Sequence, residues 1–341
     1  MALGLEKLSG FLSEKAEAGS CRITQFEKMS GGAIQENYAL DVTFDGGLLN
    51  GAHELVLRTD APSVVEVSHS RAHEFQVLKK AYEAGVMVPE PLWVCSDSSV
   101  FGRPFYIMRR VKGVAEGHIL VKDEAVKTNA EGLLEHLGGQ LAKIHSITPG
   151  SHSFDFLKIP DPTPAAAGVE FFRECLDRLP EAYPTIEWGL RWLELNAPEN
   201  MILVLNHRDY RVGNLMLDNG VLTGILDWEF ADWSDFHEDI GWFCARCWRF
   251  GNFGLEAGGI GSREAFYRGY TEVSGRSIDP AQAFYWETFA HMRWAVIAIQ
   301  QGERHVSGGE ESLHLALTGR VCAELEWELL RMTDPKNKQR G

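Results

Sequence analysis

The spacing of apolar residues changes character once along this chain, and that change limits the folds open to it. Up to about residue 111 the apolar residues fall in short β-rich runs, CRITQFEKM, NYALDVTF, HELVLRT and RPFYIMRRV, divided by Gly, Asp and Pro. One helical stretch, SRAHEFQVLKKAYEAG, sits among them. The pattern predicts a small sheet with a helix packed on it. From about residue 123 the spacing is mostly helical, in EAVKTNAEGLLEHLGGQLAKIHSI, GVEFFRECLDRL, EWGLRWLELN, the segment around 240 to 248, and long helices after 262 and 280. At 341 residues the chain also exceeds the roughly 250–300 residues at which single cores stop growing. An α+β protein is expected, with a small β-rich lobe over residues 1–111 and a larger, mainly helical lobe over 112–341.

One stretch breaks the helical run. In LNHRDYRVGNLMLDNGVLTGILDWE, residues 205 to 229, NLMLD and LTGILDW read as a small hairpin turning at Asn219 and Gly220. The charged residues around that hairpin carry the chemistry. Phosphoryl transfer needs a carboxylate to orient the attacking hydroxyl, and oxygen ligands to hold magnesium against nucleotide phosphates. HRDYRVGN fits the kinase catalytic-loop pattern HRDxxxxN, with Asp209 as candidate base and Asn214 as candidate metal ligand. Asp227 follows the apolar run TGIL, thirteen positions after Asn214, where kinases place an acidic metal ligand. Glu229, two residues on, could join the metal shell.

The upstream half meets the same template. MSGGAIQENYALDV is a glycine turn between two strands, able to bring backbone N–H groups close to phosphates; Gly31, Gly32 and Asn37 are its candidate contacts. Arg58, in ELVLRTD, occupies the strand position of a phosphate-binding lysine. Arginine stays charged and binds phosphate bidentately. Glu74, inside the following helix, is its natural ion-pair partner.

These residues together resemble the aminoglycoside phosphotransferase and choline kinase group of small-molecule kinases, in particular the branch whose modules are also found fused to acyl-CoA dehydrogenases. The resemblance covers about residues 20 to 330 and rests on GGAIQENY, LVLR, EFQVL, VPEPLWVCSD, GRPFYIMRRVKG, LAKIH, HRDYRVGNLMLD, GILDWEFA and HEDIGW, in that order. It implies a protein-kinase-like, two-lobed fold that binds ATP with Mg2+ between the lobes. It also implies a strand ending at Met108, a hinge near Arg109 to Val111, and a structural acid at Asp239. The family usually has Gly where this chain has Arg208. Only eleven residues separate Asp227 from Asp239, so no long activation segment follows and a regulated protein kinase is rejected despite the HRD. Arg208 is expected to form a structural ion pair or to touch an anionic substrate.

Composition narrows the partners. Net charge is −15, which argues against nucleic acid or an anionic membrane as main partner. The N-terminal MALGLEKLSGFLSEKAEAGS lacks the layout of a secretory signal, and Leu5, Leu8 and Leu12 line one helix face. AFYWETFAHMRWAVIAIQ is too polar for a lipid-exposed span and reads as a core helix started by Asp279 and Pro280. Six scattered cysteines fit a reducing cytoplasm, with Cys244 and Cys247 as core thiols rather than a metal or redox pair. No dense acidic cluster suits a polycationic aminoglycoside, so a small, partly apolar hydroxylated acceptor is expected, a hydroxyacyl compound being one option. The alternatives are a catalytically silent nucleotide-binding pseudokinase module and a metal-dependent hydrolase; the latter would need clustered His and carboxylate ligands, whereas His207 is expected to pack inside.

Overall fold

The computed structural model of the protein describes residues 2–29, 35–61, 68–151 and 154–336. It divides into two compact units, one formed by Met1–Ala115 with Asn214–Ala231, the other by Glu116–Gly213 with Asp232–Gly341.

In the first unit, strands β1 (Ser20–Lys28), β2 (Gln35–Asp45), β3 (Gly51–Asp60), β4 (Pro91–Cys95) and β5 (Phe105–Arg109) form an antiparallel sheet in the order β1-β2-β3-β5-β4. Alternation along each strand sends side chains to opposite faces. Leu40, Val42 and Phe44 of β2, Leu55 and Leu57 of β3, and Phe105 and Ile107 of β5 share one face, covered by helix α1 (Ala2–Lys15) through Leu8 and Leu12. Val56, Arg58 and Tyr106 therefore turn to the other face. There helix α2 (Arg71–Glu83), capped by Ser70 accepting from the His73 N–H, packs Phe75 against Tyr106 with ring centroids 5.9 Å apart. Arg58 is thus aimed at α2 by strand parity.

The hairpin Leu215–Asp218 and Val221–Ile225 belongs to this unit. It turns through Asn219 and Gly220, both in left-handed backbone (φ 49° and 75°), as the Asn-Gly pair foretells. The Val114 and Leu217 backbones exchange two 2.9 Å hydrogen bonds, and the Ile225 N–H donates to the Met87 carbonyl at 2.8 Å.

The second unit is mainly helical. The helices Ala130–Ile144 and Arg263–Ser274 cross on glycine: a Cβ at Gly138 would stand 2.1 Å from the Phe266 carbonyl oxygen, and one at Gly269 would stand 1.9 Å from that of Glu135. The long helix Pro280–Val306, with Asp279 accepting from the Ala281 N–H and Pro280 at its first turn, packs Trp286, Phe289 and Met292 against Ile186, Leu190 and Leu193 of the helix Pro184–Leu195. The helix His237–Cys244 approaches its backbone at Gly241. A short strand pair, Leu203–Asn206 with Asp232–Asp235, joins the two ends of the chain segments that leave and re-enter this unit.

Several elements differ from the sequence reading. β4, begun by Pro91, and the pair 203–206 with 232–235 are too short to show a period-2 pattern. The continuous helical reading over 124–147 is two helices, Glu124–Thr128 and Ala130–Ile144, broken at Asn129. Cys244 and Cys247 are free thiols, and burial raises both, Cys244 to about 12.

The glycine crossing yields a signed prediction. Gly269→Ala should lower unfolding free energy by about 1–3 kcal/mol through overpacking. Gly10→Ala, in open space on α1, should raise it by roughly 0.5–1 kcal/mol. Urea unfolding of both variants against wild type checks the opposed signs.

Candidate active site

In the first unit the centre is a buried arginine held by two acids. Arg58, paired in register with Asn37 on β2 and with Tyr106 on β5, directs its Nη2 to Glu74 Oε1 at 3.0 Å and its Nε to Glu74 Oε2 at 3.2 Å. The same Nη2 makes a short contact with Asp227 Oδ1. Burial opposes the Arg58 charge, but Glu74 and Asp227 outweigh it and hold the guanidinium well above its ordinary value. Asp227 itself stands in left-handed backbone at φ 71°, a conformation that costs a non-glycine residue about 1–3 kcal/mol. The Leu226 N–H just before it donates to the Asn214 carbonyl at 2.9 Å, which ties the two candidate metal ligands to one hairpin.

Glu229 is nearly fully buried and already engaged. Gln35 Nε2 donates to its Oε2 at 2.9 Å, the Ser68 hydroxyl donates to the same oxygen, and Arg71 Nη2 stands 4.0 Å away. Burial, with the Asp227 charge adding to it, pushes this carboxyl up to about 7. Arg71 also bridges Asp60 at 2.9 Å and makes a short contact with Glu74, so Glu74 is shared by two arginines. Sequence reading missed Arg71 and Gln35. The signal for Arg71 was its i,i+3 spacing to Glu74 on α2; Gln35, which reaches Glu229 across 194 positions of sequence, left none.

The other candidate nucleotide contacts are spread more widely. Asn37 is on β2, its Oδ1 buried and without a partner. Met108 lies opposite Val56 and Pro91, while Arg109 turns to Glu90 and to His53 Nδ1 at 3.1 Å, away from the Arg58 cluster. Val111 packs beside Gly224 of the hairpin. Gly31 and Gly32 lie outside the described residues. No group of three or more His, Cys, Asp or Glu able to hold a metal occurs among the described residues. Magnesium does not need one: it retains waters and is held by one or two carboxylates plus phosphate oxygens, and Asn214 with Asp227 offer hard oxygen donors of that kind.

The second unit carries Asp209. Trp242 Nε1 donates to its Oδ1 at 3.0 Å and Arg211 Nε to the same oxygen at 2.9 Å. Arg211 in turn stacks on Trp248, 4.8 Å from the ring centroid. The loop before Asp209 is clamped by Asp239, fully buried in the first turn of His237–Cys244: its Oδ2 accepts from the His207 N–H at 2.6 Å and its Oδ1 from the Arg208 N–H at 2.8 Å, with His145 Nε2 at 3.3 Å. Burial would raise this carboxyl, but the His145 hydrogen bond, with further help from His207, holds it below the ordinary carboxylate range. Arg208 has φ 61°, the left-handed conformation glycine adopts freely; its Nε donates to Glu238 at 3.0 Å and its Nη1 to Asp232 at 3.4 Å. Its side chain is held in ion pairs with both acids. Tyr210, Trp242 and Trp248 are buried, and the Tyr210 hydroxyl donates to the Leu137 carbonyl at 2.8 Å.

A family model described as the phosphotransferase enzyme family matches residues 25–276. The chain belongs to that family. Among its relatives, acyl-CoA dehydrogenase family member 10 of Mus musculus is 28% identical over 298 residues, covering 81% of this chain and 27% of the relative. Acyl-CoA dehydrogenase family member 11 of Pongo abelii is 25% identical, covering 78% and 35%. This phosphotransferase-family chain thus spans about a third or less of those two relatives. Solved structures with its fold include a putative aminoglycoside phosphotransferase from Ralstonia eutropha, at 21% identity, TM-score 0.74 and coverage of 96% and 98% of the two chains. An aminoglycoside phosphotransferase in ternary complex with AMP-PNP and hygromycin B follows at 16% identity, TM-score 0.62 and coverage of 96% and 98%. The fold is α+β and protein-kinase-like. No helix among the described residues is long and apolar enough to cross a membrane.

Asp239 gives this family member a testable acid dependence. A depressed folded-state pKa stabilises above the unfolded value, about 3.9, and that contribution is lost as pH falls through the folded value. Asp239→Asn must turn its amide N–H2 toward one of the two backbone donors, so it should cost roughly 1.5–3 kcal/mol at pH 7. The deficit relative to wild type should shrink at pH 3. Urea midpoints at both pH values check this, and an equal deficit at both would contradict it.

Proposed function

We propose that the protein is an ATP- and Mg-dependent phosphotransferase that moves the γ-phosphoryl group to a hydroxyl of a small molecule. The observation that supports this reading best is the Arg58 guanidinium bound between Glu74 and Asp227 in a phosphotransferase-family chain that carries HRDYRVGN, a fit to the kinase catalytic-loop pattern, just upstream of that aspartate. Arg58 supplies a permanent, oriented cation for nucleotide phosphate, and Glu74 fixes its direction. Asn214 and Asp227 would hold magnesium, with Glu229 behind them keeping Gln35 and Ser68 in place. The bound ion would neutralise charge on the phosphate oxygens. Asp209 accepts the proton of the acceptor hydroxyl, its carboxylate set by Trp242 and Arg211. Relatives solved with AMP-PNP and hygromycin B support the nucleotide and the small-molecule acceptor.

The acceptor is not a polycation on this reading. The acids near the Asp209 loop are matched by arginines: Glu238 by Arg208, and Glu287 by Arg249 and Arg263. A neutral or anionic hydroxyl compound avoids stripping those pairs.

Two variants test the assignment. Asp227→Ala should abolish magnesium-dependent ATP binding measured by calorimetry; wild-type Mg-ATP affinity would remove Asp227 from the metal shell. Asp209→Asn should leave Mg-ATP affinity almost unchanged while turnover falls by roughly 10²–10⁴. A screen of hydroxylated metabolites for ATP consumption and a product heavier by one phosphoryl group supplies the acceptor for that measurement. A pseudokinase module would bind Mg-ATP and turn over no acceptor in the same screen.

A further inference from the structure

Around the Asp209 loop the arginines of the second unit share their acids unevenly. Arg211 Nε donates to Asp209 at 2.9 Å and Arg208 Nε to Glu238 at 3.0 Å. Arg293, from the long helix Pro280–Val306, has only a loose ion pair, its Nη1 standing 3.9 Å from Glu238 Oε1. The acids near it are claimed more closely by other groups. Glu238 accepts from Arg208 and from the Ser234 hydroxyl, Asp209 from Arg211 and Trp242, and Asp239 from two backbone N–H groups. Burial, with the Arg208 charge adding to it, pulls Arg293 down to about 10, which still leaves it charged at neutral pH. It is a buried cation with a borrowed partner.

Its hydrogen bonding is incomplete in the same way. Nη1 donates to the Arg208 carbonyl, and the guanidinium lies over the Trp242 ring, 4.6 Å from the centroid. Nε and Nη2 have no hydrogen-bond partner among the described residues, and neither is one of the sealed, unpaired polar atoms among them. With 11% of the side chain exposed, that edge is open to a ligand. Nε and Nη2 are a parallel pair of donors, the arrangement that binds a carboxylate bidentately. The indole beneath them also donates from its Nε1 to Asp209 at 3.0 Å. One ring therefore joins the open fork to the candidate base.

We propose that the Nε–Nη2 edge of Arg293 determines acceptor specificity by binding the carboxylate of a hydroxy acid whose hydroxyl lies an indole's width away, at Asp209. This rests on the phosphotransfer reading: the hydroxyl oxygen bonds the γ-phosphorus, its proton passes to Asp209 and ADP leaves. The carboxylate supplies the close anion that Arg293 lacks and the two acceptors its fork leaves open. A neutral terminal group supplies no charge, and an ammonium group would face a cation that is already under-compensated.

The test uses the full chain, labelled with 15N-arginine, and three flexible alcohols that differ in one terminal group: 6-hydroxyhexanoate, its methyl ester and 6-amino-1-hexanol. The acid should shift the Arg293 Nε–H resonance, identified by its loss in Arg293→Gln. By calorimetry on the wild-type chain it should bind roughly tenfold or more tightly than the ester or the amine. With Mg-ATP, kcat/KM for the phosphorylated product should favour the acid over the ester. Arg293→Gln, which keeps a donor for the Arg208 carbonyl but removes the charge, should erase that preference by raising KM for the acid, and Arg293→Lys should restore part of it. An Arg293 with a purely structural role would lower turnover of acid and ester alike and leave the preference intact, which would overturn the proposal. Equal binding of the ester or the amine, or no binding at millimolar acid, would also overturn it, and both are read on the wild-type chain should Arg293→Gln not fold. Selective binding of the acid with no phosphorylated product from any hydroxy acid would instead sink the phosphotransfer reading while supporting the fork as a carboxylate site.

Discussion

A single buried carboxylate, that of Asp239, organises the loop that carries Asp209. It takes the amide protons of two successive residues, His207 and Arg208, a geometry that a loop cannot hold alone because its backbone would otherwise stay hydrated. The clamp explains the backbone it produces. Arg208 is forced to positive φ, and the cost of that conformation is met by the pairing of its side chain with Glu238 and by Arg293, whose guanidinium donates to the Arg208 carbonyl. Arg293 itself lies over Trp242, the residue whose indole reaches Asp209. Loop, ion pairs and aromatic ring form one connected hydrogen-bonded body.

The first unit follows the same rule with the charges reversed. There the buried centre is a cation, and the acids come from a helix and from the hairpin. Glu74 serves Arg58 and Arg71 together, so neither arginine is left as an isolated buried charge, which would cost far more than the pair contributes. Glu229 shows what happens where burial outweighs the nearby cations: with Arg71 4.0 Å away, the carboxyl still rises to about 7 and accepts from Gln35 and Ser68.

Sequence legibility followed the range of the physical signal. Strands with clear alternation, such as β2, and helices with caps, such as Pro280–Val306 behind Asp279, were readable because their determinants lie within a few residues. The Asn219-Gly220 turn was readable for the same reason. The pairing of Arg58 with Glu74 came from order along the chain and is met in the geometry. Four-residue strands carried too little pattern, and the Asn129 break in a helical run carried none. Contacts that close over long sequence separation were invisible: Gln35 to Glu229, and Trp242 to Asp209. Tyr210, Trp242 and Trp248, in or just after the loop segment, are buried in the core.

The first unit is discontinuous, drawing Asn214–Ala231 from beyond a long stretch of the other unit. During synthesis its first 115 residues therefore emerge without the segment that supplies Asp227 and Glu229. At about 5–20 residues per second that gap lasts on the order of ten seconds. Through this interval Gln35 lacks its carboxylate partner and Arg58 one of its two acids, while Ile225 has yet to reach Met87. The sheet therefore gains these contacts only after later translation, and a fragment ending near residue 115 would lack the Asp227 carboxylate that completes the setting of Arg58.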